Sequence, residues 1–292
     1  VNIMTITPTV AESLQGAART LAAHSDSPRL DAELLLCTVT GWSRAALIVN
    51  GAAPLAVASR TAYEQLILRR TAGAPVAYLT GRREFWSLPL CVTPDVLVPR
   101  PETELLVELA LAVLPGDEPS AVLDLGTGSG AIALAIASER PRARVTAVDV
   151  SPPALAVAAH NARILGLTRI EWLLGSWFDA VADGHQRFDV IVANPPYVAA
   201  ADPALERLAA EPVLALTPGR TGLEALGVIA ARAAWHLKPG GWLILEHGDD
   251  QGEAVTRLLA AGGFTEIRTR VDFSDRPRVT SGRVHSSNHS SQ

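Results

Sequence analysis

Asn194, Pro195, Pro196 and Tyr197 stand together at the end of an apolar run, Phe188–Ala193, that reads as a buried strand. Neither proline has a backbone N–H, so the chain here can neither go on pairing as a central strand nor start a regular helix. Pro195 also holds Asn194 extended, and Pro196 does the same to Pro195. The expected product is a stiff loop at a strand's carboxyl end, where open α/β sheets bind ligands. Its exposed chemistry is one side-chain amide, carbonyls without neighbouring N–H groups, and one ring. That set suits recognition of a planar NH2 group.

A second group of residues lies upstream. Ala121–Leu125 reads as a short buried strand, Gly126, Thr127, Gly128, Ser129 and Gly130 follow, and 131–137 reads as a helix. Strand, glycine loop and helix form a nucleotide-binding arrangement, because glycines let the backbone approach a ligand and the helix start offers free N–H groups. A second strand, 144–148, ends in Asp149, roughly 20 residues beyond the first glycine and placed to bind ribose hydroxyls. Gly126, Gly128 and Ala131 also satisfy the dinucleotide pattern, so a dehydrogenase stays open on this loop alone.

The elements that must position these residues follow from periodicity. Segments 9–24, 28–40 and 55–71 show apolar residues at three- and four-residue spacing, and Trp42 and Leu47 are expected in their shared core. This predicts an N-terminal helical bundle over 1–72. Residues 73–100, with two short strands, predict a β-hairpin linker. From Pro101 a helix runs to about 114. Strands are then predicted at 121–125, 144–149, 170–174, 188–193, 241–246, 264–271 and 277–281, and helices near 130–140, 153–165, 222–237 and 250–262. That alternation predicts an α/β, doubly wound, mainly parallel sheet over 101–282. Residues 283–292, rich in Ser, His and Asn, read as a disordered tail.

Composition narrows the classes. Hydrophobic residues make 48% and charged residues 19% of the 292, the balance of a globular chain. A net charge of −5 argues against direct binding of nucleic acid, and 1–72 is near neutral rather than a basic arm. Two cysteines make neither a disulfide framework nor a C-x-x-C, which fits a reducing cytoplasm, and the histidines show no metal-ligand spacing. No apolar run reaches the roughly 18 residues of a membrane span, so no membrane partner is expected.

Gly130 makes the glycine loop G-x-G-x-G, and Asp124 lies two residues before it. That form resembles motif I of S-adenosylmethionine-dependent methyltransferases, and Asn194 to Tyr197 resembles motif IV of those that methylate exocyclic or amide nitrogens. The resemblance sharpens over about residues 10–282. Ala77-Tyr78-Leu79-Thr80-Gly81, Glu84-Phe85-Trp86, Leu97 to Glu104, Glu211-Pro212, Gly240-Gly241 and Glu246-His247-Gly248 with Gln251 are similar to the HemK-type release-factor glutamine methyltransferases. The run Pro99-Arg100-Pro101-Glu102-Thr103-Glu104 separates that family from methyltransferases in general. The chain departs from the family at Thr221, where an Asp is usual, and at Asp275-Arg276-Pro277-Arg278, where Gly-Arg-Asp-Arg is usual.

The resemblance implies a class I methyltransferase (Rossmann-like) sheet and S-adenosylmethionine as cofactor. It implies methylation of the side-chain nitrogen of the glutamine in the Gly-Gly-Gln motif of class I peptide chain release factors. Asn194 and the Pro195 carbonyl would accept the two amide protons, and Tyr197 would stack on the amide; Pro196 would complete the substrate loop. Gly126, Thr127, Gly128, Ser129, Gly130 and Asp149 would hold the cofactor, with Trp177 on the adenine. Arg100 and Glu104 would line the glutamine entrance, and no metal takes part. A ribosomal-protein glutamine is the rival substrate. An adenine-N6 DNA methyltransferase shares the Asn-Pro-Pro-Tyr, but this chain has neither a basic stripe nor a target-reading insertion between its motifs. A binding module that only kept the fold is the non-enzymatic alternative.

Overall fold

The computed structural model describes residues 7–181 and 187–285, and these fall into two compact units that divide between Arg82 and Arg83. The first unit holds α1 (Val10–Leu21), α2 (Pro28–Thr40), α3 (Arg44–Val49), α4 (Val57–Thr71) and α5 (Val76–Thr80). Thr9 and Glu12 close a capping box on α1: the Glu12 N–H donates to the Thr9 hydroxyl at 3.2 Å, and the Thr9 N–H to the Glu12 carboxylate at 2.8 Å. Pro28 opens α2 and Gly41 ends it in the left-handed conformation. The core gathers Leu14, Leu21, Leu35, Leu36, Leu47 and Ile67. Arg70 on α4 reaches Asp31 on α2 at 2.8 Å, and the Tyr63 hydroxyl donates to the Ala32 carbonyl at 3.0 Å.

Two expectations change here. Leu47 is 1% exposed, but Trp42, expected in the same core, is 38% exposed, because it falls in the turn between Gly41 and the α3 cap Ser43. The unit also runs past residue 72 to Arg82, since α5 carries Leu79 into its core. α3 and α5 have six and five residues, too few to display a helical repeat in sequence.

Two short strands, β1 (Arg82–Phe85) and β2 (Leu88–Cys91), pair as a hairpin, with Phe85 and Leu90 in a core of the second unit. That unit is built on β3 (Ala121–Leu125), β4 (Arg144–Asp149), β5 (Glu171–Leu174), β6 (Phe188–Ala193), β7 (Leu237–Glu246), β8 (Phe264–Val271) and β9 (Pro277–Val284). They form one sheet in the order β5-β4-β3-β6-β7-β9-β8. β3 to β7 pair in parallel, and β9 is antiparallel to both its neighbours. The helices are α6 (Glu104–Val113), α7 (Ala131–Glu139), α8 (Pro152–Ile164), α9 (Ala204–Arg207), α10 (Glu224–His236) and α11 (Gly252–Ala261). Side chains of β3 alternate between the two faces: Val122 packs with Leu106, Val107 and Leu134, while Leu123 and Leu125 pack with Leu226, Ile229 and Val255. The sheet is therefore doubly wound.

β7 begins at Leu237, not at 241, because Leu237 already pairs with Phe188. The register shift between Phe188 and Val190 absorbs Pro239 and Gly240, which read as breakers. The expected tail also starts too early. Arg283 pairs with Trp242 and Thr265, and Val284 with Phe264; residues 286–292 lie outside the described residues. Among the described residues no helix is long and apolar enough to cross a membrane.

Candidate active site

Strand register brings the chemistry together. Leu125 is the partner of Val148 on one side and of Ala193 on the other. The next residue in each strand is Gly126, Asp149 and Asn194, so glycine loop, acid and amide emerge as one row at the carboxyl edge. With strands about 4.8 Å apart, the acid and the amide rise roughly 10 Å from each other. The chain runs outward from β3 to β5 and then returns to β6 on β3's other side, so the row sits where strand order reverses.

The loop after β3 is held by its own backbone. The Gly126 and Thr127 N–H groups donate to the Val148 carbonyl at 2.8 and 3.0 Å, and the Gly130 N–H to the Thr127 carbonyl at 2.9 Å. Asp149 spans the loop and the next helix: it accepts the Gly128 N–H at 2.8 Å and the Ser151 N–H at 2.9 Å. Asp124 is wholly buried and takes the Thr127 hydroxyl at 2.7 Å. Burial pushes its carboxyl up to about 7. Gly130, at φ 83°, starts α7 under Ala158, Leu134 and Trp172, all within 3.3 Å of where a Cβ would stand. On the far side, Asn161 joins three segments. It accepts the Cys91 N–H at 2.7 Å and donates to the Cys91 and Ser129 carbonyls at 3.0 and 2.9 Å.

A cleft of about 480 Å³ opens over this row, within the roughly 300–1,000 Å³ of small-ligand sites. Gly126, Thr127, Gly128, Ser129, Asp149 and Trp177 line it, as do Arg100, Asn194 and Pro196. The Trp177 ring stands 3.5 Å from where a Gly126 Cβ would be, so it forms a flat wall against the loop. A Cβ on Gly128 would meet nothing within 4 Å; open space lies before that loop. Backbone N–H groups, a carboxylate, a flat ring and this space fit S-adenosylmethionine, which has an amino-acid end, a ribose and a purine.

Four residues expected at the site do not line the cleft. Gly130 caps α7, and Pro195 is buried. The Glu104 carboxylate turns to the hairpin and accepts the Trp86 N–H at 2.8 Å. Tyr197 packs against the apolar core below β6, its hydroxyl donating to Glu246 at 3.3 Å, so no stacking face is presented there. Its carbonyl accepts from Gln251 at 3.0 Å, and Gly222 lies so close that any side chain would strike it. Arg100 does line the cleft, with its guanidinium paired to the buried Glu211, which also accepts the Val98 N–H at 3.0 Å.

In the sequence Thr103 is one residue of a motif, yet it lines the cleft and touches the amide. The Asn194 Nδ2 donates to its hydroxyl at 3.1 Å. Leu214 also lines the cleft while 62% exposed, a rim position that apolar periodicity does not single out. His247 is fully buried, its two ring nitrogens placed against the Gly248 carbonyl and the Thr280 hydroxyl, both at 2.8 Å. Among the described residues no group of three or more His, Cys, Asp or Glu could hold a metal ion.

The family described as "PrmC N-terminal domain" matches residues 12–81, and "Methyltransferase small domain" matches 102–221. The release factor glutamine methyltransferase of Xylella fastidiosa (strain Temecula1 / ATCC 700964) is 49% identical over 90% of this chain and 95% of its own length. The protein of the same description from Escherichia coli (strain K12) is 46% identical over 89% of this chain and 94% of its own. A methyltransferase structure from Pyrococcus furiosus superposes with a TM-score of 0.52 at 18% identity, covering 76% of this chain and 98% of that one. It shares the fold.

Proposed function

The chain belongs to the release factor glutamine methyltransferase family, and we infer that it methylates the side-chain nitrogen of a release-factor glutamine, using S-adenosylmethionine. The finer reading is that the glutamine is that of Gly-Gly-Gln in class I release factors and the methylated atom its N5. The observation that carries it is the single row of glycine loop, Asp149 and Asn194 beneath one cleft.

The chemical obstacle is that an amide nitrogen has its lone pair delocalised into the carbonyl. S-adenosylmethionine supplies an electrophilic methyl group on a cationic sulfur. What this chain supplies is geometry and fixed dipoles. Asn194 Oδ1 accepts one substrate amide proton, and the Pro195 carbonyl, flanked by the cleft residues Asn194 and Pro196, accepts the other. Held in a geometry that favours a pyramidal nitrogen, the amide regains lone-pair character as the new bond forms, which is stabilisation felt mainly in the transition state. The methylated nitrogen sheds its proton to water, so no general base is needed. The glycine loop and Asp149 hold the amino-acid end and ribose, Trp177 faces the purine, and the Arg100–Glu211 pair stiffens the rim. Tyr197 anchors the Asn-Pro-Pro-Tyr loop from beneath. The cleft is lined by residues of the second unit, and we assign the first unit to docking the folded substrate.

Incubating the enzyme with S-adenosylmethionine and a class I release factor, then mapping the added mass, tests this. A single methyl on the Gly-Gly-Gln glutamine, lost when that glutamine is replaced, is the expected result. Methyl on a ribosomal-protein glutamine instead, or on adenine of duplex DNA, would replace the reading with one of its rivals.

A further inference from the structure

An asparagine amide is nearly symmetric in shape, and only one of its two orientations does the work described above. Oδ1 must face the cleft; turned by 180°, Asn194 would present Nδ2, a donor, to a substrate group that is itself a donor. Something on the protein side must fix the choice. The one side-chain hydrogen bond of Asn194 among the described residues is to Thr103, at 3.1 Å.

A hydroxyl alone does not set polarity, because it can donate or accept. The surroundings of Thr103 do. It is 4% exposed, in the turn Pro101–Thr103 that leads into α6, and its hydroxyl faces the carboxyl of Glu246 at the end of β7, 1% exposed. Glu246 accepts the Tyr197 hydroxyl on Oε1, while Oε2 is buried without a hydrogen-bond partner among the described residues. Burial pushes this carboxyl up to about 7; the facing Thr103 hydroxyl, Arg278 and the Tyr197 hydroxyl favour its ionised form, and Glu102 opposes it. Once ionised, above that pH, the carboxylate only accepts, so the Thr103 hydrogen is drawn toward Glu246 and its lone pairs toward Asn194. Only Nδ2 can meet those lone pairs. Oδ1 is then left for the cleft.

We propose that Thr103, its hydroxyl polarised by Glu246, is the positioning residue that locks the Asn194 side chain with its oxygen toward the substrate amide. This rests on the proposed function above and adds to it the reason that the motif before α6 carries a threonine. Tyr197 donates to the same carboxyl, so the two ends of the Asn-Pro-Pro-Tyr loop share one buried anchor, Asn194 through Thr103 and Tyr197 directly.

Thr103→Val keeps size and branching but removes the hydroxyl, and Thr103→Ser restores it. With the release factor as substrate, Thr103→Val is expected to lower kcat on the order of 10- to 100-fold, the scale of a misplaced catalytic contact. S-adenosylmethionine affinity by calorimetry and the thermal midpoint should stay near wild type, and Thr103→Ser should recover most of the rate. Wild-type kcat in Thr103→Val would overturn the proposal. So would a Ser variant no better than Val, or a loss that appears as weaker cofactor binding instead of slower turnover. If the wild-type enzyme leaves the release-factor glutamine unmodified, the functional reading falls and this proposal with it. If wild type is active and the series is flat, only this proposal falls.

Discussion

Replacing Asp149 separates ribose binding from loop scaffolding, because the structure gives this carboxylate two partners before any ligand arrives. Its oxygens accept the Gly128 and Ser151 N–H groups at 2.8 and 2.9 Å. Hydrogen bonds to a charged group are worth about 1.5–3 kcal/mol each when the partner is left dry. Here the cleft is open to water, which takes over part of that role, so the scaffold cost of Asp149→Ala should lie near the lower end of one bond, about 1.5 kcal/mol. The cofactor loses more. Its ribose hydroxyls lose their acceptor and the glycine loop loses a tie, together about 1.5–3 kcal/mol of binding, or roughly 10- to 150-fold in Kd. Asp149→Asn keeps one acceptor oxygen and should fall between wild type and alanine. Calorimetry with S-adenosylmethionine gives the affinity, and urea unfolding gives the stability separately. A Kd for Asp149→Ala within threefold of wild type would refute the ribose assignment. Loss of affinity matched by global unfolding would instead make Asp149 a scaffold residue alone.

Gly130→Ala forces a side chain into a left-handed site at φ 83° and against Ala158 and Leu134, both 3.1 Å away; unfolding free energy should drop by roughly 2–5 kcal/mol, and a drop under about 1 kcal/mol in urea melts would show that the loop relaxes freely. Asp124, pushed up to about 7 by burial, keeps in the folded state a proton that the unfolded chain releases at much lower pH. Its contribution to stability is therefore present in acid and lost as pH rises toward 7. Asp124→Asn should flatten part of that decline, the rest belonging to Glu246, whose carboxyl burial also pushes up to about 7; a melting-temperature profile from pH 4 to 8 with unchanged slope would contradict it. A chain of residues 83–292, cut where the compact units divide, should still bind S-adenosylmethionine but methylate intact release factor poorly, and full activity would remove the docking role of the first unit.

The interior strands and the ligand loop were legible because their signals are local. The runs 121–125, 144–149 and 188–193 are apolar enough to be buried on both faces, and each matches its observed strand. The row of Gly126, Asp149 and Asn194 was legible for the same reason, since each follows directly on such a strand. What escaped depends on contacts distant in sequence. Leu237 joins β7 only because Phe188 is there to pair with it, and α3 and α5 are fixed by packing, not by a repeat. Glu104 sits beside Arg100 in one motif, yet one faces the hairpin and the other the cleft; the helix start turns them apart. Thr103 hid in the same motif because its partner lies on β6's end, and only the fold joins the two. Asp275, at a departure from the family pattern, takes a φ of 57° that glycine adopts freely, and its N–H bonds the Asp272 carbonyl at 3.0 Å.

Asn161 also sets an order of events. Cys91 is made 70 residues before Asn161 and Ser129 32 residues before it, so until Asn161 follows, their carbonyls and the Cys91 N–H lack this partner. The helical unit that ends at Arg82 has by that time every side chain of its core, and domains made first fold first. The hairpin that follows it must wait. Its locking, and the final set of the glycine loop behind it, come with a residue synthesised far later, so that the nascent chain can close its helical core before it gains a place to hold its reagent.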